Sequence, residues 1–387
     1  LLIFLIGYFY RHFEVEEILL ISIAALVAAV PEGLPAVISI VLAIGASRMA
    51  KRNAIVREFT ATETLGAVTA ILTDKTGTLT RNSLTVKKVF VSGVPDYNIT
   101  GVGWFPAGNF IQQKTIIDVG NNSVLQKLLK IAAVSNNSEF HHDKQADTYE
   151  LIGDPTEGAL SVLARKGGIQ REHFQQYKLD DLPFDSTIKL RATLIKENNH
   201  HELYVTGAPE KLLERSVSIL TSNGESKLKK KEKEQIQQKI SEWSNHAMRV
   251  IALAYKRQDS NIIDENAIDN LVFVGITGMI DPPRTDSKEA VEKCKQAGIR
   301  VIMVTGDHVN TAVAIAKTTG IIDAMSKNDV VALTVQQLLH LDKDEFDKAI
   351  RNISVFARLT PKMKLKIAKR LQAMGHLIAM TGDGVND

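Results

Sequence analysis

An α/β fold built on a doubly wound parallel sheet is predicted by three short segments and by the helices between them. Val68-Thr69-Ala70-Ile71-Leu72-Thr73 closes on Asp74, Val301-Ile302-Met303-Val304-Thr305-Gly306 on Asp307, and Leu377-Ile378-Ala379-Met380-Thr381-Gly382 on Asp383. Continuous apolar runs of this length are how strands buried on both faces read in sequence. Helical patterns at 287–297, 311–319 and 362–374 lie between or after them. Strand–helix alternation implies helices packed on both faces of the sheet. In such sheets the site lies outside the carboxyl ends of the strands, near a topological switch, so the three carboxylates should converge.

The first and second strands stand roughly 200 residues apart, too far for a loop in a compact domain. The intervening segment has loop-like stretches at Ser92–Gly120 and Ser135–Thr148. It has extended segments near Arg191–Lys196 and Glu202–Thr206, and a charged run, Lys227–Lys239. An inserted α+β domain over 81–280 is expected, splitting the sheet domain into 51–80 and 281–387. Glu interrupts the charged run and no aromatics are interleaved, so it reads as the solvated face of a helix.

Residues 1–50 differ in kind. Residues 1–47 carry only Arg11, Glu14, Glu16, Glu17 and Glu32 as charges. Leu1–Tyr10 reads as the end of one transmembrane helix, Arg11–Glu17 as a connector and Ile18–Ile44 as a second span. A span needs about 20 apolar residues. Arg48, Lys51, Arg52 and Arg57 follow at once, which predicts a multi-pass membrane protein with its soluble body in the cytoplasm. The span is broken by Pro31-Glu32-Gly33-Leu34-Pro35, because each Pro lacks a backbone donor and obstructs the preceding turn. Carbonyls freed there, such as those of Val27, Ala28 and Val30, together with the Glu32 carboxylate, would make a hard-cation site within the bilayer.

The remaining composition excludes more than it assigns. Net charge is +3, too even to argue for a nucleic-acid partner. A single cysteine, Cys294, excludes a disulfide framework and a cysteine-built metal site. No Gly-x-x-x-x-Gly-Lys-Ser/Thr loop occurs, so P-loop chemistry is excluded. His141-His142 and His200-His201 lack zinc-site spacing and read as surface loop residues.

Asp74-Lys75-Thr76-Gly77-Thr78-Leu79-Thr80 resembles the phosphorylation motif of P-type ATPases. Pro31-Glu32-Gly33-Leu34-Pro35, Asp281-Pro282-Pro283-Arg284, Thr305-Gly306-Asp307 and Thr381-Gly382-Asp383-Gly384-Val385-Asn386-Asp387 follow the family's order. The Pro after Leu34 and the basic segment 49–57 look most like the type II, calcium-pump-like branch. The resemblance implies a haloacid-dehalogenase-like catalytic core, ATP and Mg²⁺ as cofactors, and a transported cation, with Ca²⁺ favoured. It also implies a fragment that begins inside a membrane helix, stops within the last motif and lacks the actuator domain and the remaining membrane helices.

By the same resemblance, Asp74 is the nucleophile, flanked by Lys75 and Thr76. Asp74, Asp383 and the Thr76 carbonyl would hold Mg²⁺. Lys364 matches the phosphate-contacting lysine, Thr305, Gly306 and Asn386 would hydrogen-bond the transferred group, and Asp307 and Asp387 would support them. The nucleotide should sit on the inserted domain. Phe184 would stack, Lys189 meet the nucleotide, Glu157 lie near adenine and Arg249 reach the phosphates, with Asp281 and Arg284 also on the nucleotide side. Thr206-Gly207-Ala208-Pro209-Glu210 carries Thr where the family usually has Lys, so the usual pocket charge is missing, and a lysine at this water-exposed site should strengthen nucleotide binding. The alternative is a membrane-anchored phosphatase of the same fold. Such phosphatases place a second Asp two residues after the nucleophile as general acid/base, and here that position is Thr76.

Overall fold

The computed structural model describes residues 14–31, 33–143, 145, 147–197, 200–265, 268–323 and 331–383, together with 5, 6 and 9. Glu32, Asn386 and Asp387 lie outside the described residues. The chain forms two compact units, Leu1–Val68 and Thr69–Asp387.

The first unit holds helices Val15–Ala28, Leu34–Ala50 and Thr60–Gly66. The break falls where the two prolines place it. It does not free every carbonyl expected of it. Val27 O accepts the Val30 N–H at 3.0 Å, and Pro31 O accepts the Leu34 N–H at 2.9 Å. The interruption also divides the apolar stretch into pieces of 14 and 17 residues, about 21 and 26 Å long at 1.5 Å per residue. Among the described residues no helix is long and apolar enough to cross a membrane. Apolar side chains nonetheless stand exposed on both helices, among them Leu20, Ile23, Leu26, Val37, Ile40 and Val41.

In the second unit a five-stranded sheet has the order Leu333–Thr334, Val355–Ala357, Arg300–Val304, Ala70–Thr73, Ile378–Thr381, every pair parallel. Alternate residues feed two separate cores. Leu72, Ile302, Val304 and Phe356 pack with the helices Lys343–Asn352 and Pro361–Ala373. Val301, Met303, Val355 and Ala357 pack with Ser287–Gln296 and Val309–Thr318. This two-sided burial is why the strands read as unbroken apolar runs. The Leu333–Thr334 and Val355–Ala357 strands escape the sequence reading because two or three residues show no periodicity.

The chain leaves this sheet after one strand and returns after the insertion. The crossing is stitched by Arg81 N–H to Pro282 O at 3.1 Å and a bridge between Thr80 and Pro283. The insertion is an eleven-stranded sheet, antiparallel except where Ser216–Thr221 runs parallel to Leu271–Ile280. Helices Ser123–Val134 and Pro155–Lys166 cover one core, and Pro209–Glu214 and Lys230–Asn245 the other. The charged run lies partly on this last helix, which buries Ile236, Ile240 and Trp243.

Three expectations change. The segment 92–120 carries the strands Tyr97–Ile99, Phe110–Gln112 and Thr115–Ile117, too short to show alternation. The segment 135–148 contains one arm of a hairpin, Glu139–Asp143 against Thr148–Ile152. Both histidine pairs lie on strands rather than in loops, where adjacent side chains point to opposite faces.

Every member of the two insertion cores falls between Val86 and Met279. Residues 81–280 expressed alone should therefore unfold cooperatively, with a single thermal transition by circular dichroism. A non-cooperative melt would show that the cores need the five-stranded sheet.

Candidate functional site

Asp74 sits at the carboxyl edge of the sheet because its N–H donates to Thr381 O of the neighbouring strand at 2.9 Å. The chain then reverses over Lys75–Leu79, with Thr76 extended and Gly77 at φ +70°. A Cβ on Gly77 would stand 1.7 Å from Asp383 Oδ2. Glycine thus meets two needs at once, a left-handed backbone and room for a carboxylate.

Asp74 Oδ1 accepts the Lys75 N–H at 2.6 Å, and Oδ2 pairs with Lys364 Nζ at 2.6 Å. Lys364 lies one turn into the Pro361–Ala373 helix. That helix starts where Thr360 Oγ1 accepts the Met363 N–H at 3.4 Å and Pro361 takes the first position. The Lys364 side chain is only 9% exposed, so it is not the surface lysine that a basic helix suggests.

Lys75 Nζ pairs with Asp307 Oδ2 at 2.6 Å and lies 3.9 Å from Asp281 Oδ2. Thr305 Oγ1 accepts the Asp307 N–H at 3.2 Å, and the hydroxyls of Thr76 and Thr305 each lie 3.5 Å from Asp307 Oδ2. Asp307 thereby ties the Lys75–Leu79 turn to its own loop. The result is a cleft of about 290 Å³ lined by Asp74, Thr76, Thr305, Gly306, Asp307, Leu359, Pro361 and Lys364. Lys364 stands beside Asp74 in this lining, an arrangement that can hold a phosphoryl group beside a carboxylate. Among the described residues no group of three or more His, Cys, Asp or Glu could hold a metal. Two carboxylates at adjacent strand ends, Asp74 and Asp383, still suit Mg²⁺. This ion commonly takes one or two carboxylates and completes its shell with phosphate and water.

A second cavity, about 610 Å³, lies on the inserted domain. Glu157, Phe184, Thr206, Gly207 and Arg249 all line it. Phe184 is 57% exposed, leaving a ring face free to stack. It precedes a tight turn in which Asp185 Oδ1 accepts the N–H groups of Thr187 and Ile188 at 2.6 and 3.1 Å. Those two donors hold the Asp185 carboxyl below its usual range. Arg249 Nη1 donates to Thr156 Oγ1 at 2.9 Å.

Three sequence-predicted residues stand elsewhere. Lys189, at φ +57°, closes the turn after Phe184 and does not line the cavity. Asp281 accepts from Thr80 Oγ1 at 2.5 Å and Ser83 N–H at 3.2 Å. Arg284 donates to Gly77 O at 2.9 Å and Thr80 O at 3.2 Å. Asp281 and Arg284 therefore fasten the crossing between the two domains. Thr206 lines the cavity but is only 4% exposed, not open to water as expected. Arg191 was not foreseen. It lines the cavity, is 3% exposed and stands directly across the strand pair from Thr206. Only strand register reveals it.

Residues 124–286 match the family described as P-type ATPase, cytoplasmic domain N. A calcium-transporting ATPase of Bacillus subtilis is 38% identical over 380 residues, 97% of this chain and 42% of the relative. The cation-transporting ATPase pma1 of Synechocystis is 40% identical, over 95% of this chain and 41% of its own length. Calcium-transporting ATPase 1 of Bacillus cereus is 38% identical, over 100% and 41%. The chain thus spans about two-fifths of the length of the curated relatives it matches.

Proposed function

The chain belongs to the P-type ATPases, and on that premise we propose that it is the catalytic segment of an ATP-driven cation pump that forms an aspartyl-phosphate on Asp74. The observation that carries this reading is the cleft itself, where Asp74, Lys364, Thr305 and Asp307 meet at the carboxyl edge of the sheet. A haloacid-dehalogenase-like core fits the parallel sheet with helices on both faces.

A carboxylate nucleophile splits one hard hydrolysis into two easier steps. A carboxylate oxygen of Asp74 bonds to the γ-phosphorus of ATP, the bond from that phosphorus to the β-bridging oxygen breaks, and ADP leaves with the electron pair. Phosphoryl transfer depends mainly on alignment and charge neutralisation. Lys364 contributes a cation beside the incoming group, and Thr305 and Gly306 line the place it would occupy. Bound through Asp74, Asp383 and the Thr76 carbonyl, Mg²⁺ would offset phosphate charge. Asn386 and Asp387 would complete the surround. On the inserted domain Phe184 would stack on adenine, with Glu157, Gly207 and Arg249 around it.

Thr76 argues against the phosphatase reading. Its hydroxyl is no general acid/base near neutral pH, so the phosphoenzyme would persist, as a pump requires.

The exposed apolar girdle of the helices flanking 29–33 supports placement in a lipid bilayer, because a helix apolar all round belongs in an apolar surround. We read Glu32, together with the carbonyls of Ala28 and Val30, as part of the transported-cation site. Calcium is favoured, supported by the names of two of the three relatives above. In the full-length pump, phosphorylation from ATP should require Ca²⁺. Glu32→Gln should raise the Ca²⁺ concentration needed about tenfold or more, while ATP binding persists. An unchanged Ca²⁺ requirement in that variant would remove Glu32 from the site. Labelling that needs no cation would contradict the pump reading.

A further inference from the structure

The sequence places Thr206 where a cation is expected beside the nucleotide. The register places one next to it. Arg191 pairs with Thr206 across antiparallel strands, and directly opposed side chains have Cβ atoms about 4.5–5.5 Å apart. Arg191 does not project loosely. Its Nη2 donates to Asp181 Oδ1 and Oδ2 at 3.0 and 2.8 Å, and its Nη1 binds Glu157 Oε1. Asn137 closes a ring, its N–H donating to Glu157 Oε2 at 2.7 Å and its Nδ2 to Asp181 Oδ2 at 3.0 Å. Thr193 Oγ1 and Lys178 Nζ also bind Asp181, at 2.7 and 3.2 Å. Burial pushes the Asp181 carboxyl up, but Thr193, Arg191, Asn137 and Lys178 outweigh it and hold it below its usual range.

We propose that Arg191 is a positioning residue that locks Glu157 as a fixed hydrogen-bond acceptor and so makes the pocket select purines that carry an amino donor at C6. The inference rests on the reading of this cavity as the nucleotide site. An ionised carboxylate only accepts, and its two oxygens offer about four lone-pair sites. Arg191 and Asn137 each occupy one oxygen, and what remains suits a donor. Adenine presents an amino group at C6, whereas guanine carries its amino group at C2 and presents a carbonyl oxygen at C6, which would face the carboxylate acceptor to acceptor. Glu157 and Arg191 thus act as one unit, and the pocket does not call for a cation at 206. A lysine at 206 would directly oppose Arg191, where like charges are unfavourable, and would compete for Glu157. Thr206→Lys is therefore expected to leave ATP binding unchanged or weaker, the reverse of the sequence expectation.

The test is calorimetric titration of the full chain with ATP and with GTP. The wild type should prefer ATP by about tenfold or more. Arg191→Met should bring the ratio towards one. Arg191→Lys, which keeps a cation but loses the bidentate hold on Asp181, should restore part of the preference. Glu157→Gln, at a more accessible position, should also abolish it, and combining it with Arg191→Met should add nothing. If Arg191→Met does not fold, Arg191→Lys decides, by whether the preference falls below that of the wild type. An unchanged ATP/GTP ratio in either folded variant overturns the role of Arg191, as does a wild type that binds both equally. A wild type that binds neither overturns the nucleotide reading of the cavity, and this inference with it.

Discussion

Asp74→Asn should abolish the acid-stable, hydroxylamine-sensitive phosphoenzyme formed from radiolabelled ATP and Mg²⁺ in the full-length pump. The amide keeps the size of the carboxylate and an oxygen that can accept from Lys75 N–H or Lys364 Nζ. The fold around the cleft should therefore survive, while the nucleophile is lost. Removing a covalent nucleophile costs on the order of 10⁴-fold or more in rate, well below detection in a labelling experiment. ATP binding should be almost untouched, because the cavity on the inserted domain does not include Asp74. Undiminished labelling of the variant would end the assignment of Asp74.

Gly77→Ala should cripple the same reaction without removing any charged group. The added methyl would lie 1.7 Å from Asp383 Oδ2, 2.3 Å from its Cγ and 2.8 Å from its Cβ. These are overlaps that only movement of the Asp383 side chain relieves. The positive φ adds roughly 1–2 kcal/mol of backbone strain. Misplacing a reacting group by about 1 Å can cost on the order of 10²-fold in rate. Since Asp383 is read as a Mg²⁺ ligand, the loss should appear as a higher Mg²⁺ requirement for phosphorylation, with ATP binding to the inserted domain preserved. A normal Mg²⁺ dependence in this variant would separate Asp383 from the metal.

Much of this site was legible because its chemistry sits at strand ends. A buried parallel strand has a short, continuous apolar signature, and the residue after it must lie at the sheet edge. Asp74, Asp307 and Asp383 could therefore be placed together from sequence. Lys364 could be named only through the motif around it, since a lysine on a basic helix reads as solvated. What stayed hidden depends on partners distant in sequence. Asp281 and Arg284 lie about 200 residues from the groups they bind, and no local pattern encodes that pairing. Arg191 carries no local signal because its meaning lies in standing opposite Thr206, and register is a property of two strands at once. The short strands at 97–99, 110–112 and 115–117 read as loop because three residues cannot display a period.

The stitched crossing between the two domains has a consequence for how the chain folds. The first strand of the five-stranded sheet must wait for partners that begin only at Arg300 and Ile378. Closing so long a loop from an unfolded chain is entropically unfavourable, and sheets built from distant parallel pairs form slowly. Once the insertion has folded around its own two cores, however, Arg81 and Pro282 are held 3.1 Å apart between backbone N and O. What remains to be closed towards the Arg300 strand is then only the segments from Thr73 to Arg81 and from Pro282 to Arg300. The insertion should therefore acquire protection from hydrogen exchange before the Ala70–Thr73 strand does, and substitutions that loosen its cores should slow the assembly of a sheet they never touch.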